Sequence, residues 1–413
     1  MSKNINNFTI ILNKESRIQL LIIYFWIYSS IISYGIVYGC RLIGFNSDEA
    51  QIVIRILTVI VVIVALKSCL QLIKLRHILF YLLMFGLYLF SYKLFPENSA
   101  IMDDNISLFF LSVLPLFFLG TMLDKVKIPY ETLVTLSYYV IVLFLVSVLF
   151  LSSGDVADHD MGKAYNCLPS VMLVSFNVLK KRKGRDFIFM ALGVILLLLC
   201  ATRGPILLYA IFMLFQLPLI ERKYRYLYIG LLLAMIVLFV SPVGMILVEA
   251  ISLLLNNFGF NTRIIDLLLT GDLTYDNGRS WLYDATFAMI EAQPWRGNGI
   301  FSDRRATGAI GIGENGIGVY VHHIIYEFWC DFGYILGTAL LVIIAFSILT
   351  TLKKHKTDTN FKVFFLIFVI SYMGKLFMSS SFLIEPGFWL CIGACFEGIR
   401  NEKRRKIRLA LRH

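Results

Sequence analysis

The sequence predicts an all-α protein that crosses a membrane many times, and three observations carry this prediction. Hydrophobic residues make up 58% of the chain and charged residues only 16%, with a mean hydropathy of +0.77, whereas soluble domains carry about 25% charged residues. Apolar runs recur that approach or exceed the roughly 18–20 residues a helix needs to cross a bilayer. Lys and Arg are concentrated in alternate connections between these runs. Because backbone in lipid must satisfy its own hydrogen bonds, the runs are expected to be helices.

Twelve apolar runs are predicted to span the membrane. The sixth is short, and the seventh and eighth are separated only by Thr202, Arg203 and Gly204. The chain 1–413 is then one integral membrane domain, with 252–319 as its single long polar loop. The runs are 18–40, 52–72, 78–95, 106–123, 131–152, 166–179, 187–202, 204–220, 226–250, 328–351, 361–378 and 382–398.

The distribution of positive charge predicts the orientation, because cytoplasmic connections are enriched in Lys and Arg. With a cytoplasmic N-terminus, the inner segments hold 27 of the 38 Lys and Arg residues. Both termini are therefore expected in the cytoplasm, and the loop 252–319, Arg203 and His322 on the extracytoplasmic face. The formal net charge of +11 is then a cytoplasmic fringe that attracts anionic membrane lipids, and nucleic acid is not an expected partner.

The long loop 252–319 contains arginine but no lysine, with Arg at positions 263, 279, 296, 304 and 305. A guanidinium binds phosphate oxygens in a bidentate fashion, while an ammonium acts as a point charge. The loop therefore points to a phosphate ligand, although retention of Lys on the inner side explains the same count.

Two arginines are the first candidates for binding that phosphate. Arg203 stands between two apolar runs, where a permanent charge is costly unless it is paired or hydrated; the alternative is an interfacial Arg that extends to lipid headgroups. Arg279 precedes a segment, Ser280 to Ala292, that is predicted to be an amphipathic helix. The positive end of that helix would also favour an anion, and the alternative is a solvated surface Arg.

His322 and His323 stand at the outer end of an apolar run and are the candidates for a general base. Histidine titrates near neutral pH and can remove a proton from a sugar hydroxyl. Glu327, four and five residues further on, is placed to orient either ring. A structural histidine at the membrane interface is the alternative. No metal pattern is formed by these residues or by the seven cysteines.

Two weaker groups of polar residues complete the candidates. Asp155, Asp158 and Asp160 crowd one outer loop and resemble an acidic metal site, although most short acidic runs are only solvated. Lys375 and Glu385 flank three serines, Ser379 to Ser381, near the last outer turn. These residues are placed to hydrogen-bond a sugar or to close the helical hairpin.

In order and spacing, these motifs resemble the O-antigen polymerase and O-antigen ligase superfamily of bacterial envelope glycosyltransferases. The family has an Arg-x-x-x-Leu motif at the end of a span, matched by Arg203 and Leu207. It also has a Gly-Arg loop segment followed by a Pro-x-x-Gly-x-Gly turn. The matching residues are Gly278, Arg279, Tyr283 and Ala285, then Pro294, Gly297 and Gly299.

The family loop ends in a His-Asn pattern followed by Leu, Glu and Gly. Aligned on Gly333, this chain has His322, then His323 where the family has Asn, Tyr326 where it has Leu and Asp331 where it has Glu. The resemblance covers roughly 187–398, and the first half of the chain matches only as membrane spans.

The resemblance implies a GT-C-type glycosyltransferase architecture and a polymerase of lipid-linked oligosaccharide repeat units in the bacterial plasma (inner) membrane. It implies His322 as the base, and Arg203 and Arg279 as ligands of an undecaprenyl diphosphate. The other residues expected to bind substrate are Arg296, Arg304, Arg305, His323, Glu327 and Glu385.

No cofactor and no metal are expected for this reaction. Undecaprenyl-diphosphate-linked oligosaccharide and membrane lipids are the expected partners, with a chain-length regulator and a flippase. An O-antigen ligase that transfers glycan to lipid A core is the runner-up. A flippase or other transporter is the alternative from another class, although transporters usually carry broken helices at mid-membrane depth.

Overall fold

The computed structural model describes residues 14–28, 47–150, 157–200, 203–219, 279–311, 313–314 and 317–410, with scattered positions between 222 and 253. Over these residues the chain is helical apart from connections and one antiparallel pair of two-residue strands, β1 (Gly313–Glu314) and β2 (Ile317–Gly318). The α-helices are α1 (Lys14–Tyr28), α2 (Ser47–Leu72), α3 (Leu75–Leu94), α4 (Ser99–Ser107), α5 (Leu116–Leu123), α6 (Tyr130–Phe150), α7 (Ala157–Lys181), α8 (Gly184–Leu199), α9 (Arg203–Phe215), α10 (Arg279–Ala292), α11 (Ser302–Ala309), α12 (Ile324–Lys354), α13 (Thr359–Phe368) and α14 (Pro386–Ala410).

Short irregular helical segments extend several of these helices. A π-helical stretch, Leu108–Val113, joins α4 towards α5, and another, Val369–Met373, follows α13. Three 3-10 turns lie at Pro96–Asn98, Leu217–Leu219 and Lys375–Phe377. Three helices reach beyond their predicted runs: α7 starts before 166, α12 starts before 328, and α14 continues past 398 to Ala410. His323, with its extended backbone, is the N-cap of α12.

The prediction of an all-α membrane protein is confirmed. Within the described ranges, six helical stretches are long and apolar enough to cross a membrane. Helices overlap eleven of the twelve predicted runs, and the run 226–250 falls mostly outside the described residues. The number of spans and the orientation stay predictions, as does the treatment of 1–413 as one domain.

Close helix packing in the centre depends on two glycines. A Cβ atom on Gly120 of α5 would lie 2.1 Å from the carbonyl oxygen of Leu390, and one on Gly393 of α14 would lie 2.1 Å from that of Phe117. Small residues allow such backbone approach, which is a main source of helix association in lipid. Phe80 of α3 stacks on Phe117 with ring centroids 4.2 Å apart. The last helix is therefore held in the middle of the bundle.

Burial separates central spans from peripheral ones. Only 11% of the apolar window in α2 and 17% of that in α3 are buried, against 56% for Pro96–Leu123 and 67% for Thr359–Phe377. The exposed side chains of α2 and α3 are mainly Ile, Leu and Val. Because lipid tails solvate such side chains, these faces are those expected to contact the bilayer.

The connections gather at two opposite ends of the bundle. At one end, Lys354 pairs with Asp124, and Lys180 Nζ donates to Asn360 Oδ1 over 2.9 Å. We call this the basic end; it contains the connections 73–74, 124–129, 182–183 and 355–358. At the other, the site end, lie 95–98, the start of α9, 279–323 and 374–385. Asn98 Nδ2 donates there to the carbonyl oxygen of Asn298 over 2.8 Å.

Candidate functional site

The turn Pro294–Gly299 packs directly against a break in α12. Gly333 has φ 76° and ψ 169°, which interrupts the helix. A Cβ on Gly333 would lie 2.6 Å from the carbonyl oxygen of Trp295, and one on Gly297, itself at φ 74°, would lie 2.5 Å from that of Asp331. Only glycine fits such positive φ angles combined with backbone contact. These are the glycines of two of the motifs, so the structure brings those motifs together.

Backbone hydrogen bonds complete this contact. The amide of Asn298 donates to the carbonyl oxygen of Cys330 over 2.8 Å, and that of Gly299 donates to the carbonyl oxygen of Asp331 over 3.1 Å. The Tyr334 amide donates to the carbonyl oxygen of Pro294 over 2.7 Å. The carbonyls that the broken helix leaves unpaired are thereby satisfied, and the loop is fixed relative to the span.

A buried group of charges underlies the turn. Asp303, Arg304, Glu327 and Asp331 are each between 1% and 8% exposed and interact electrostatically. Asp331 Oδ1 accepts a hydrogen bond from Ser302 Oγ over 2.9 Å. Burial raises the pKa of the Asp303 carboxyl. A buried charge is costly unless it is paired and hydrogen-bonded, and Arg304 is the one guanidinium within this group of three carboxyl groups.

Asp303 and Glu327 hold the two segments that flank the histidines. Asp303 Oδ2 accepts the amide hydrogen of Val321 over 3.0 Å, immediately before His322. Glu327 accepts hydrogen bonds from Ser381 Oγ and from the amide of Phe382. We call residues 379–382 the serine segment. Glu327 therefore contacts the serine segment rather than either imidazole ring.

The two histidine rings have different neighbours. The ring of His322 lies 4.3 Å from that of Tyr320, while the ring of His323 lies 4.8 Å from Tyr326 and 6.0 Å from Tyr283. His322 adopts φ 58°, in the left-handed region. Its Nδ1 is buried and has no hydrogen-bond partner among the described residues.

Tyr165, near the start of α7, connects the candidate residues. A Cβ on Gly204 would lie 1.9 Å from its hydroxyl oxygen, so the start of α9 with Arg203 lies against it. Lys375 Nζ lies 5.5 Å from the centroid of its ring. Arg279, at the start of α10, interacts electrostatically with both Tyr165 and His322. We call Tyr165, Arg203, Arg279 and Lys375 the cationic corner, and His322 lies beside it.

Burial and then the charge of Arg279 lower the pKa of His322 to about 4. Burial also lowers the pKa of His323. Both shifts favour the neutral ring, which is the form that accepts a proton. The pKa of His322 therefore lies below the ordinary histidine value of about 6.5, and Arg279 contributes to this shift.

The serine segment is linked to Lys375 of the cationic corner through Glu385. Glu385 Oε2 accepts a hydrogen bond from Lys375 Nζ over 2.8 Å and another from Ser380 Oγ over 3.1 Å. The Tyr320 hydroxyl donates to the carbonyl oxygen of Ser379 over 3.1 Å. Glu385 is only 3% exposed, so it orients Lys375 from within the protein.

Three of the predicted substrate-binding arginines lie in a separate group around α11. Arg296 is exposed and lies over the Phe95 ring at 5.0 Å. Arg304 is buried and donates to Asn105 Oδ1 over 3.1 Å. Arg305 pairs with Glu97 at 3.0 Å. These contacts tie the loop to the connection 95–98 and to the later part of α4, and a role in substrate binding stays a prediction for all three.

The competing acidic site cannot be placed, because Asp155 and the side chains of Asp158 and Asp160 lie outside the described residues. In the part that is described, no group of three His, Cys, Asp or Glu side chains is arranged to hold a metal ion. Metal independence stays a prediction.

Comparisons with protein-family models, with curated proteins and with solved structures found no match. No matching protein therefore supports the resemblance of the motifs, and function has to be argued from the site.

Proposed function

We propose that the protein is an inverting glycosyltransferase that polymerises lipid-linked oligosaccharide repeat units. The observation that carries the proposal is the position of His322, a neutral imidazole, beside the cationic corner at one end of an apolar helical bundle. A lipid-linked substrate needs both parts, because its carrier is solvated by the bilayer and its diphosphate by cations.

The cationic corner suits a diphosphate. Lys375 lies over the Tyr165 ring, Arg279 interacts electrostatically with Tyr165, and Arg203 precedes Gly204, which packs against the Tyr165 hydroxyl, so three different segments bring a cationic residue towards one tyrosine. Fixed cations that face a developing negative charge stabilise a transition state without reorganising. Arg279 also begins a helix, whose positive end adds to the field. The proposal therefore requires no metal to compensate the leaving group.

The proposed reaction is a direct displacement at an anomeric carbon. His322 takes the proton from a hydroxyl of the acceptor sugar while that oxygen forms a bond to the anomeric carbon. The bond from the anomeric carbon to the diphosphate oxygen breaks, and its electron pair leaves with undecaprenyl diphosphate, held by Arg203 and Arg279. The proton on His322 passes to solvent. One displacement inverts the configuration of the transferred sugar.

The proposed location is the bacterial inner membrane, with the site end on the extracytoplasmic side and both termini in the cytoplasm. The basic end supports this orientation, because Lys74, Lys125, Lys180 and Lys354 are gathered there. Cytoplasmic connections are the ones enriched in such residues.

One observation favours the O-antigen ligase as a second candidate. Ligases of the resembling superfamily often carry an acidic residue near the position of Ser380, where this chain has none. Glu385 reaches that place in space, since its Oε2 lies 3.1 Å from Ser380 Oγ. The two candidates share the chemistry of the corner and differ only in the acceptor.

Deletion of the gene followed by complementation tests the proposal and separates the candidates. Loss of a polymerase leaves surface glycan of one repeat; loss of a ligase leaves polymer on the lipid carrier; loss of a flippase leaves repeats facing the cytoplasm. Complementation with Arg279→Ala or His322→Ala should fail at normal membrane levels. Arg185→Ala is the matched control, since this Arg is 62% exposed at the basic end. Normal polymer from both site variants would refute the proposal.

A further inference from the structure

A row of aromatic rings begins beside His323 and runs along α12. Tyr283 and Tyr326 lie 5.3 Å apart between ring centroids, Tyr326 and Trp329 6.0 Å, Trp329 and Tyr334 5.2 Å, and Tyr334 and Trp295 6.4 Å. We call these five residues the aromatic row. Four of them are partly exposed and Trp295 is 69% exposed, so part of the surface of each ring remains accessible to a ligand.

The length of α12 indicates where most of this row lies relative to the hydrocarbon. Because Gly333 interrupts the helix, its two parts are 324–332 and 334–354, and only the second is long enough to match a hydrocarbon thickness of about 30 Å. From Tyr334 to Lys353 at the basic end, the helix measures about 30 Å at a rise of about 1.5 Å per residue. Counted from Lys353, a helix that fills the hydrocarbon ends near the break at Gly333, and we infer that residues 324–332 lie at the outer boundary of the membrane.

The solvent-accessible side chains of α12 differ in part on the two sides of Gly333. Beyond Gly333 they are aliphatic, as in Ile335, which is 68% exposed, and Val342, which is 61% exposed. Before Gly333 the half-buried side chains are Tyr326 and Trp329, whose rings have polar edges, together with Ile325 and Phe332. Lipid suits the first group, and a ligand with both apolar and polar faces suits the second.

We propose that the aromatic row binds the sugar rings of the acceptor glycan and leads its terminal hydroxyl to His322. This inference rests on the proposed function and adds the acceptor side of the site. The C–H face of a pyranose packs on the electron-rich face of an aromatic ring, and carboxylates bind sugar hydroxyls. Glu291 is the carboxylate next to the row, where it accepts a hydrogen bond from the Tyr334 hydroxyl over 2.6 Å.

The division of contacts at the histidine pair assigns the row to the acceptor. His322 joins the two sides of the site: its ring contacts Tyr320 and it interacts with Arg279 of the cationic corner, while the adjacent His323 contacts Tyr283 and Tyr326 of the row and also Phe377. In a displacement with inversion, the attacking hydroxyl and the departing diphosphate lie on opposite sides of the anomeric carbon. The diphosphate occupies the corner, so the acceptor approaches from the row.

A membrane-interface belt of Trp and Tyr is the competing explanation. Such a belt lies at one depth, whereas the row runs continuously from Tyr283 of α10 along α12 to Trp295, with neighbouring ring centroids 5.2 to 6.4 Å apart. The row also ends at the ring next to the proposed base. Both features fit a track for an extended glycan better than an anchor.

The test uses the full-length protein in lipid nanodiscs. The probe is the free oligosaccharide released by mild acid from lipid-linked repeats of cells that lack the gene. Its Kd is measured by intrinsic tryptophan fluorescence, and polymerisation kinetics are measured with the lipid-linked repeat. Trp329→Leu should weaken probe binding and raise the KM by about tenfold, the upper range for one aromatic contact. Trp329→Phe should restore most of both, because a ring face is regained.

Trp281→Leu is the matched control, because Trp281 is 70% exposed at the same end of the molecule and outside the row. Equal losses in the Trp281 and Trp329 variants would show membrane anchoring and overturn the inference. So would a Trp329→Leu protein with normal probe affinity and normal KM in an active polymerase. An inactive His322→Ala protein that still binds the probe supports the row, while wild-type levels of polymer from His322→Ala would instead defeat the proposed function.

Discussion

The lowered pKa of His322 makes a quantitative prediction for activity in acid. With a pKa of about 4, about 90% of the rings remain neutral at pH 5, against about 3% for an ordinary histidine with a pKa of about 6.5. The two cases differ by about thirtyfold in available base at that pH. Polymerisation should therefore stay near its maximum down to about pH 5 and fall as the pH drops through about 4.

The assay is kcat/KM for lipid-linked repeats in nanodiscs between pH 4 and 8, because this ratio reports the groups of the free enzyme. His323→Ala is the control, since it leaves the His322 ring beside Arg279 and is expected to be the milder change. Its acid limb should superimpose on that of the wild type. An acid limb of the wild type centred between pH 6 and 7 would refute the assignment of a buried His322 as the base. An acid limb of His323→Ala that is shifted relative to the wild type would assign the role to His323.

Three further predictions concern the cationic corner. Arg203→Lys should fail to restore polymer in cells, because the planar two-point contact with phosphate is lost; full restoration would argue for a point charge. Polymerisation by purified protein should survive EDTA, and a loss that magnesium or manganese reverses would contradict this. Gly204→Ala should reduce activity by at least tenfold, because its Cβ would lie 1.9 Å from the Tyr165 hydroxyl oxygen. The control Gly86→Ala meets nothing within 4 Å and should leave activity unchanged while stabilising its helix by about 1 kcal/mol.

The helices were predictable from sequence because their signal is local. Apolar runs such as 52–72 and 131–152 coincide closely with α2 and α6, since a long hydrophobic stretch in lipid has no alternative to a helix. Boundaries set by single polar contacts were not predictable. The early start of α12 at Ile324 depends on the His323 cap, and the break at Gly333 depends on contact with Trp295, which is distant in sequence.

The site was predictable only where charge stood out against an apolar background. Arg203 and His322 were found in this way: Arg203 precedes Gly204, which packs against Tyr165, and His322 interacts with Arg279. Tyr165 itself was missed, because one tyrosine at the end of an apolar run carries no signal without its neighbours. The partner of Glu327 was missed for a related reason: Ser381 lies 54 residues away, beyond any helical spacing that local reasoning examines.

The left-handed backbone of His322 has a consequence for how inactive variants behave. An L-residue with a side chain at φ 58° costs roughly 1–2 kcal/mol relative to glycine, which adopts this conformation freely. The chain therefore gives up some folding stability to keep an imidazole at this place. Replacing it by glycine removes the strain along with the base, so a His322→Gly protein should melt at a higher temperature than His322→Ala. Such a protein is suited to trapping both lipid-linked substrates together, unreacted.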